Sequence, residues 1–188
     1  AIAADRRFDL SKIDFTALAA EFEQVKHKHT LLRDLEGALE QQLEKMCLTN
    51  PSRIDYYKRY NELIDAYNKE QDRAEIEKLF NELMDLSRTM SEEVQRYVRE
   101  NFDNDEQLAL YDLLFSDKLS KQDIEEVKQM VRELYKKVTH MIAEYDHWKE
   151  KETTCAAVKT AIGDTILQAA PDVIYAQQET YQKLIYQY

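Results

Sequence analysis

The histidines and their neighbouring carboxylates are the residues of this sequence whose types could hold a metal ion. His140 and His147 are seven residues apart, and Glu144 lies between them. Two imidazoles and a carboxylate on one helix face are ligands of the kind that bind a divalent cation. No other feature supports a metal site, so a solvated helix face is the favoured interpretation. His27 and His29 are two residues apart, and on a helix their side chains would point to different sides.

A first group of basic residues interleaved with tyrosines suits nucleic acid or an acidic protein partner. It contains Arg53, Lys58 and Arg59, with Tyr56 among them. Arg53 falls in the first turn of a predicted helix, where the helix dipole favours an anion, so it needs either an acidic partner or solvent. The solvated interpretation is favoured for Arg53. Arg59 is one turn from Asp55, and pairing within the chain is the commoner explanation for each cation taken singly.

A second group of basic residues lies close to the only tryptophan. It consists of Lys149, Lys151 and Lys159, and Trp148 precedes the first of them. The same chemistry applies here, with pairing inside the chain as the alternative. Tyrosines are also numerous near the C-terminus, and they are Tyr175, Tyr181, Tyr186 and Tyr188. Because tyrosine is favoured at interfaces, this end is either an interface or an ordinarily packed helix.

The composition and motifs argue against catalysis by this chain alone. Its 188 residues include two glycines and two prolines, and charged residues make up 34%. It contains no P-loop, no dinucleotide-binding fingerprint and no zinc-binding cysteine pattern. Numerous carboxylates are typical of a solvated helical surface. The formal net charge of −11 disfavours a nucleic-acid binder that acts alone, so any such contact must use a local basic patch or partner domains.

Hydropathy and cysteine content indicate in which cellular compartment the chain is expected to function. No apolar run of about 18 residues exists, and no signal peptide is visible at the N-terminus. We therefore expect no membrane partner and a cytoplasmic location. Cys47 and Cys155 are the only cysteines, and each occupies an apolar position of a helical pattern. They are expected to be buried thiols in a reducing compartment, with a disulfide between them as the alternative.

Apolar residues at spacings of three and four, with few glycines and prolines, predict an all-α fold. We expect a single irregular multi-helix domain of about seven or eight helices over residues 11–188, preceded by a linker or tail at 1–10. The residues predicted to cap helices are Asp14, Thr30, Asn50, Asp72 and Ser120. Pro51 follows Asn50 and suits the first helical position, because its missing N–H would have no partner there anyway.

The longest predicted helix covers about residues 121–148. Its apolar residues alternate spacings of three and four, and they are Ile124, Val127, Val131, Leu134, Val138, Met141, Tyr145 and Trp148. This heptad seam predicts packing at a shallow angle along another helix, either inside the domain or on a partner. Small residues around Gly163 predict the close approach of another helix to a later segment.

Several runs of residues along the chain carry a resemblance to a known family. The strongest is Asn50-Pro51-Ser52-Arg53-Ile54-Asp55-Tyr56-Tyr57, with a helix that continues to Tyr67-Asn68. The others are Phe8-Asp9-Leu10-Ser11-Lys12-Ile13-Asp14-Phe15, Leu119-Ser120 with Val127-Lys128, and Trp148 with Lys151, Ala156, Val158, Lys159 and Ile162. Together they resemble the C-terminal region of the motor (restriction) subunit of type I restriction-modification enzymes, over almost the whole chain.

The resemblance implies a parent subunit with a nuclease domain and two helicase-like ATPase domains, which translocates DNA before cutting it. That parent would be an ATP-dependent type I site-specific deoxyribonuclease that uses ATP and Mg. None of its motor or nuclease motifs lies in this chain, so no cofactor is expected here. The implied partners are the modification and specificity subunits and the other domains of the motor subunit, with DNA as a further candidate.

We therefore expect a non-catalytic assembly domain that docks the DNA-translocating and DNA-cleaving subunit onto the methyltransferase core. The candidate DNA- or partner-binding residues are Arg53, Lys58, Arg59, Lys149, Lys151 and Lys159. The candidate interface residues are Tyr56, Trp148 and Tyr181. The alternative is a stand-alone helical adaptor or coiled-coil oligomerisation module unrelated to restriction, which the heptad seam favours.

Overall fold

The computed structural model of the protein describes residues 14–24, 28–70, 72–145 and 147–188. The predicted tail at 1–10 lies outside these ranges, and so does His27 of the first histidine pair. The structure is 85% helical, and the described residues contain no strand, so the all-α prediction is confirmed. Within the described ranges, none of the helices combines the length and the apolar character needed to cross a membrane.

Ten α-helices follow one another along the described residues, and eight of them have seven residues or more. In chain order they are α1 (Phe15–Gln24), α2 (Lys28–Thr49), α3 (Ile54–Lys69), α4 (Arg73–Val94), α5 (Arg96–Arg99), α6 (Asp105–Leu114), α7 (Lys121–Glu144), α8 (Glu152–Ala169), α9 (Asp172–Tyr175) and α10 (Gln178–Gln187). Single turns of 3-10 helix cover Pro51–Arg53 and Trp148–Glu150. The chain divides into two compact units, Ala1–Arg96 and Tyr97–Tyr188.

The core of the first unit forms where α1, α2, α3 and α4 bury their apolar faces. An apolar stripe of α2 lies at the centre of this core, because Leu35, Leu39 and Leu43 have no exposed surface. Each fully buried leucine contributes about 1.5–3 kcal/mol relative to an exposed one, so this stripe is a large part of the stabilisation. The rings of Phe22 in α1 and Phe80 in α4 stack with centroids 3.5 Å apart.

The turn between α2 and α3 forms as the Asn50-Pro51 pair predicts. Asn50 is extended, and its side-chain oxygen accepts hydrogen bonds from the backbone N–H and the hydroxyl of Ser52, at 3.1 and 2.8 Å. A residue before proline is disfavoured in helical conformation, which ends α2 at this point. The turn places Arg53 at the junction with α3.

The first residue of α3, Ile54, does not belong to the inward face of the helix, because it is 48% exposed. The buried residues of α3 are Tyr60 and Leu63, flanked by half-buried Ile64 and Tyr67. Because tyrosines occur at several positions of α3, more than one set of residues spaced by three and four could form its apolar face. Packing against α4 buries the set centred on Tyr60 and Leu63.

The long helix α7 begins at the predicted residue, where Ser120 and Asp123 form a capping box with both hydrogen bonds present. It ends at Glu144, earlier than the residue 148 expected from the seam, because Tyr145 is extended and His147 has a left-handed φ of 54°. The seam packs inside the second unit, where α7 lies against α6 and α8. Val127 and Val131 have no exposed surface.

The approach of α10 to α8 occurs at Gly163, as the small residues predict. A Cβ added to Gly163 would lie 2.7 Å from Nε2 of Gln182. That same Nε2 donates a hydrogen bond to the backbone carbonyl of Lys159 at 2.6 Å. The absence of a side chain at Gly163 therefore gives Gln182 access to the backbone of α8.

One predicted cap differs from the structure. Thr30 was expected to cap the second helix, but α2 already begins at Lys28. The segment after Pro171 forms two helices, α9 and α10, because Gln177 leaves helical dihedral angles. The predicted caps Asp14 and Asp72 are confirmed, since their carboxylates accept backbone hydrogen bonds from α1 and α4.

Candidate interaction surface

Arg53 is buried against the end of α4. Its exposed fraction is 2%, and its Nε donates to Oε1 of Glu93 at 3.0 Å. One of its terminal nitrogens donates to the backbone carbonyl of Glu93 at 3.4 Å. The expectation that Arg53 is solvated is therefore wrong. A buried guanidinium requires a carboxylate partner because desolvation of an unpaired charge is costly, and α4 supplies that partner.

The carboxylate of Glu93 is shared by two guanidinium groups. Arg96 Nε lies 3.0 Å from each of its oxygens, and the Glu93 side chain is 11% exposed. Burial raises the pKa of the Tyr56 hydroxyl, and the charge of Glu93 raises it further. Burial also raises the pKa of the Cys47 thiol, against an opposing effect of Arg53. Both groups are therefore held protonated. The cluster of Arg53, Glu93 and Arg96 connects the start of α3 to the end of α4.

The other two cations of the first group form ion pairs on the surface of the same unit. Lys58 Nζ lies 2.8 Å from Oδ1 of Asp55. Arg59 contacts Glu82 of α4 at 2.7 Å and Glu62 at 3.4 Å, so its partner is not Asp55. Exposed pairs of this kind contribute little to stability, because solvent screens them. All three cations of the first group are thus engaged within the unit.

The lysines of the second group meet aromatic rings. Lys149 Nζ lies 5.4 Å from the ring centroid of Trp148, and Lys159 Nζ lies 4.4 Å from that of Tyr186. The two rings meet edge to face, with centroids 6.2 Å apart and planes at 82°. We call these four residues the lysine–aromatic surface. Within the part of the chain that the structure describes, neither of its lysines forms an ion pair with a carboxylate. Lys151 is exposed at the start of α8.

Side chains of α8 hold the turn that carries Trp148. The buried Thr154 hydroxyl donates to the backbone carbonyl of Trp148 at 2.7 Å. The Cys155 thiol approaches the same carbonyl at 3.4 Å. These contacts fix the backbone under the ring, so Trp148 is presented by a supported turn. Cys155 and Cys47 are both free thiols, as predicted, although each is half-buried and not buried.

A cavity of about 300 Å³ lies beside the lysine–aromatic surface. Trp148, Lys149 and Tyr186 line it, together with apolar side chains from α6, α7, α8 and α10. Its polar lining includes Glu106 and Thr139. An engineered cavity of about 150 Å³ with apolar walls binds benzene, so this one has room for a larger apolar group.

The C-terminal tyrosines divide between core and surface. Tyr181 and Tyr186 are half-buried and pack against the core of the second unit. Tyr175 and Tyr188 are 43% and 40% exposed, and Leu184 of α10 is also exposed. Tyr56 is half-buried against the core of the first unit. Of the three candidate interface aromatics, Trp148 is the one that lies beside a lysine for which the described residues show no ion pair.

The histidine candidates do not come together. His140 Nδ1 lies 3.5 Å from Glu144, one turn away, and His147 Nδ1 lies 3.5 Å from Glu150. Because α7 ends at Glu144, His147 is not on the same helix as the other two residues. Among the described residues, no three histidine, cysteine or acidic side chains form a group that could hold a metal ion.

Sequence reasoning did not identify Glu93 or the role of Tyr186. Glu93 is 40 residues from Arg53 in the sequence. A cation in the first turn of a helix indicated that an acidic partner was needed, but it did not indicate where in the sequence that partner lies. Tyr186 was one of several C-terminal tyrosines, and its contact with Lys159 arises from the packing of α10 on α8. The excess of tyrosines was the only signal for it.

The comparisons with known proteins support one family. The family model described as type I restriction enzyme HindI endonuclease subunit-like, C-terminal, matches residues 1–188. No curated protein and no solved structure matches the chain significantly.

Proposed function

Because the chain belongs to this family of C-terminal domains from endonuclease subunit-like proteins of type I restriction systems, we propose that it is a non-catalytic assembly domain. It docks the DNA-translocating and DNA-cleaving subunit onto the methyltransferase core of modification and specificity subunits. The observation that carries this proposal is the lysine–aromatic surface beside its cavity. Aromatic residues and pockets at the centre of an interface supply most of its binding energy, and exposed cations supply complementarity.

The structure disfavours the alternative of a coiled-coil oligomerisation module. That alternative needs the heptad seam of α7 to face a partner chain. The middle of the seam, including Val127, Val131 and Leu134, is fully buried against other helices of the second unit. The family membership also connects the chain with restriction and not with an unrelated adaptor.

Assembly of the complex tests the docking role. The endonuclease subunit that carries this domain is prepared with and without residues 1–188 and mixed with the modification and specificity subunits. The expected result is that the complex forms with the domain and is abolished without it, as measured by gel filtration with light scattering. Retained ATP hydrolysis by the truncated subunit is the control for its folding. Assembly with unchanged affinity after the deletion would contradict the proposal.

Direct contact with DNA is the second candidate function, and the exposed Lys149, Lys151 and Lys159 favour it. Reversing their charges should weaken DNA binding and should reduce its salt dependence by about one unit of slope for each phosphate that is no longer neutralised. Arg53 and Arg59 are less favoured for this role, because each would have to leave its carboxylate partner. An unchanged salt slope in the lysine variants would leave the docking role alone.

A further inference from the structure

We propose that the lysine–aromatic surface and its cavity recognise an acidic peptide segment with one apolar anchor side chain. This inference rests on the proposed docking function and specifies the chemistry of the partner. The anchor side chain enters the cavity, and carboxylates on either side of it pair with Lys149 and Lys159.

The cavity has the size and walls for an anchor. At about 300 Å³ it exceeds the volume that holds a benzene molecule, so one phenylalanine or leucine side chain fits. Leu134, Val138 and Ile162 form part of its apolar wall. Trp148 and Tyr186 also line it, and the two lysines lie over these rings. Burying one such side chain favours binding, because it removes apolar surface from water.

The two lysines lie over the two rings beside that anchor position. Lys149 lies over Trp148 and also lines the cavity, whereas Lys159 lies over Tyr186. The centroids of the two rings are 6.2 Å apart. An extended peptide advances about 3.3 Å per residue, so this distance corresponds to about two residues, and acidic residues on either side of the anchor match a lysine over each ring.

The surroundings favour a peptide over nucleic acid. Glu106 lines the same cavity, and Glu150 and Glu152 alternate in sequence with the lysines, so the positive charge is interrupted and matches a few separate carboxylates better than a continuous row of phosphates. The net charge of −11 repels a polyanion at long range more strongly than a short peptide with a few carboxylates. A phosphate backbone also has no apolar group to fill the cavity.

The only tryptophan of the chain reports on this surface directly. The 188-residue chain is titrated with the blocked peptide Asp-Glu-Phe-Glu-Asp while the emission of Trp148 is recorded. The expected result is a saturable change in emission that is absent with the peptide in which serine replaces phenylalanine. The double variant Lys149→Glu with Lys159→Glu should bind the peptide at least about tenfold more weakly.

A matched double variant controls for net charge. Lys118→Glu with Lys121→Glu makes the same charge change at exposed lysines of the same unit that do not line the cavity, and it should bind like the wild type. Val138→Phe, which fills the cavity, should also weaken binding at least about tenfold. Circular dichroism identifies a Val138 variant that fails to fold, and the charge variants and serine peptide do not depend on it.

Three results of the peptide titration would overturn the inference. They are no change in Trp148 emission up to about 1 mM peptide, equal binding of the serine peptide, and equal binding by the Lys149 and Lys159 double variant. If a short DNA duplex competes with the peptide, and the double variant loses more affinity for DNA than for the peptide, the surface is assigned to nucleic acid. The complex of subunits separates this inference from the proposed docking function. If the complex assembles with wild-type affinity when it carries the Lys149 and Lys159 double variant, but does not assemble when the domain is deleted, the docking function is supported and this inference fails.

Discussion

Replacing Arg53 by alanine removes one of the two guanidinium groups that share the Glu93 carboxylate. The ion pair joins the junction of α2 and α3 to the end of α4, and both side chains are nearly inaccessible to solvent. Arg59→Ala is the matched control, because it removes the same side chain and breaks a pair between α3 and α4 that is exposed. The two variants differ mainly in burial.

The expected loss of stability follows from that difference. Breaking a buried ion pair costs about 3–5 kcal/mol. Arg96 keeps contact with both oxygens of Glu93 at 3.0 Å, so the lower end of this range, about 3 kcal/mol, applies to Arg53→Ala. Breaking the exposed pair of Arg59 costs roughly 0–1 kcal/mol.

Urea unfolding followed by circular dichroism measures both variants. With an m-value of about 2 kcal/mol per molar urea, the midpoint should fall by about 1.5 M for Arg53→Ala and by less than about 0.5 M for Arg59→Ala. Equal losses in the two variants would refute the reasoning. A second readout is the pKa of Cys47, which Arg53 lowers; in a Cys155→Ser background, Arg53→Ala should raise it, as measured by thiolate absorbance.

Three further outcomes concern the helices. Gly37→Ala should stabilise the protein by about 0.5–1 kcal/mol in urea unfolding, because an added Cβ meets no atom within 4 Å. Gly163→Ala should give no such gain, because the Cβ displaces Gln182 and its hydrogen bond of about 1 kcal/mol. Hydrogen bonds from Ser120 lower the pKa of Asp123, so this carboxylate stabilises the folded state above its unfolded pKa and loses that effect as pH falls through the folded pKa. Ser120→Ala should therefore raise the pKa of Asp123 in an NMR titration, and an unchanged value would contradict the capping interaction.

Helix starts were the most predictable part of the fold. Asn50, Asp72 and Ser120 cap helices as expected, because a cap depends on a side chain and on backbone groups two or three residues away. The prediction for Thr30 failed because capping residues are also tolerated within a helix when the chain before them continues the helical path. The predicted end of α7 failed because the seam continues in sequence past a residue, His147, that adopts a left-handed conformation.

The candidate site was predictable as residue types but not as contacts. The sequence shows both groups of basic residues, and in each group the cations lie close to aromatic residues. In the structure, Arg53, Lys58 and Arg59 have acidic partners, whereas Lys149 and Lys159 lie over rings. Pairing inside a protein depends on which helices pack together, and single-sequence patterns carry little information about that choice.

The sequence by itself determined the all-α class, the main caps and the family resemblance, because each depends on residues close together along the chain. The tertiary structure decided which cations remain available. Arg53 meets a carboxylate 40 residues away, and Lys159 meets a ring on another helix, since both contacts arise only when helices pack. It also decided that the heptad seam of α7 is internal, because a seam has the same pattern whether its partner belongs to the same chain or to another.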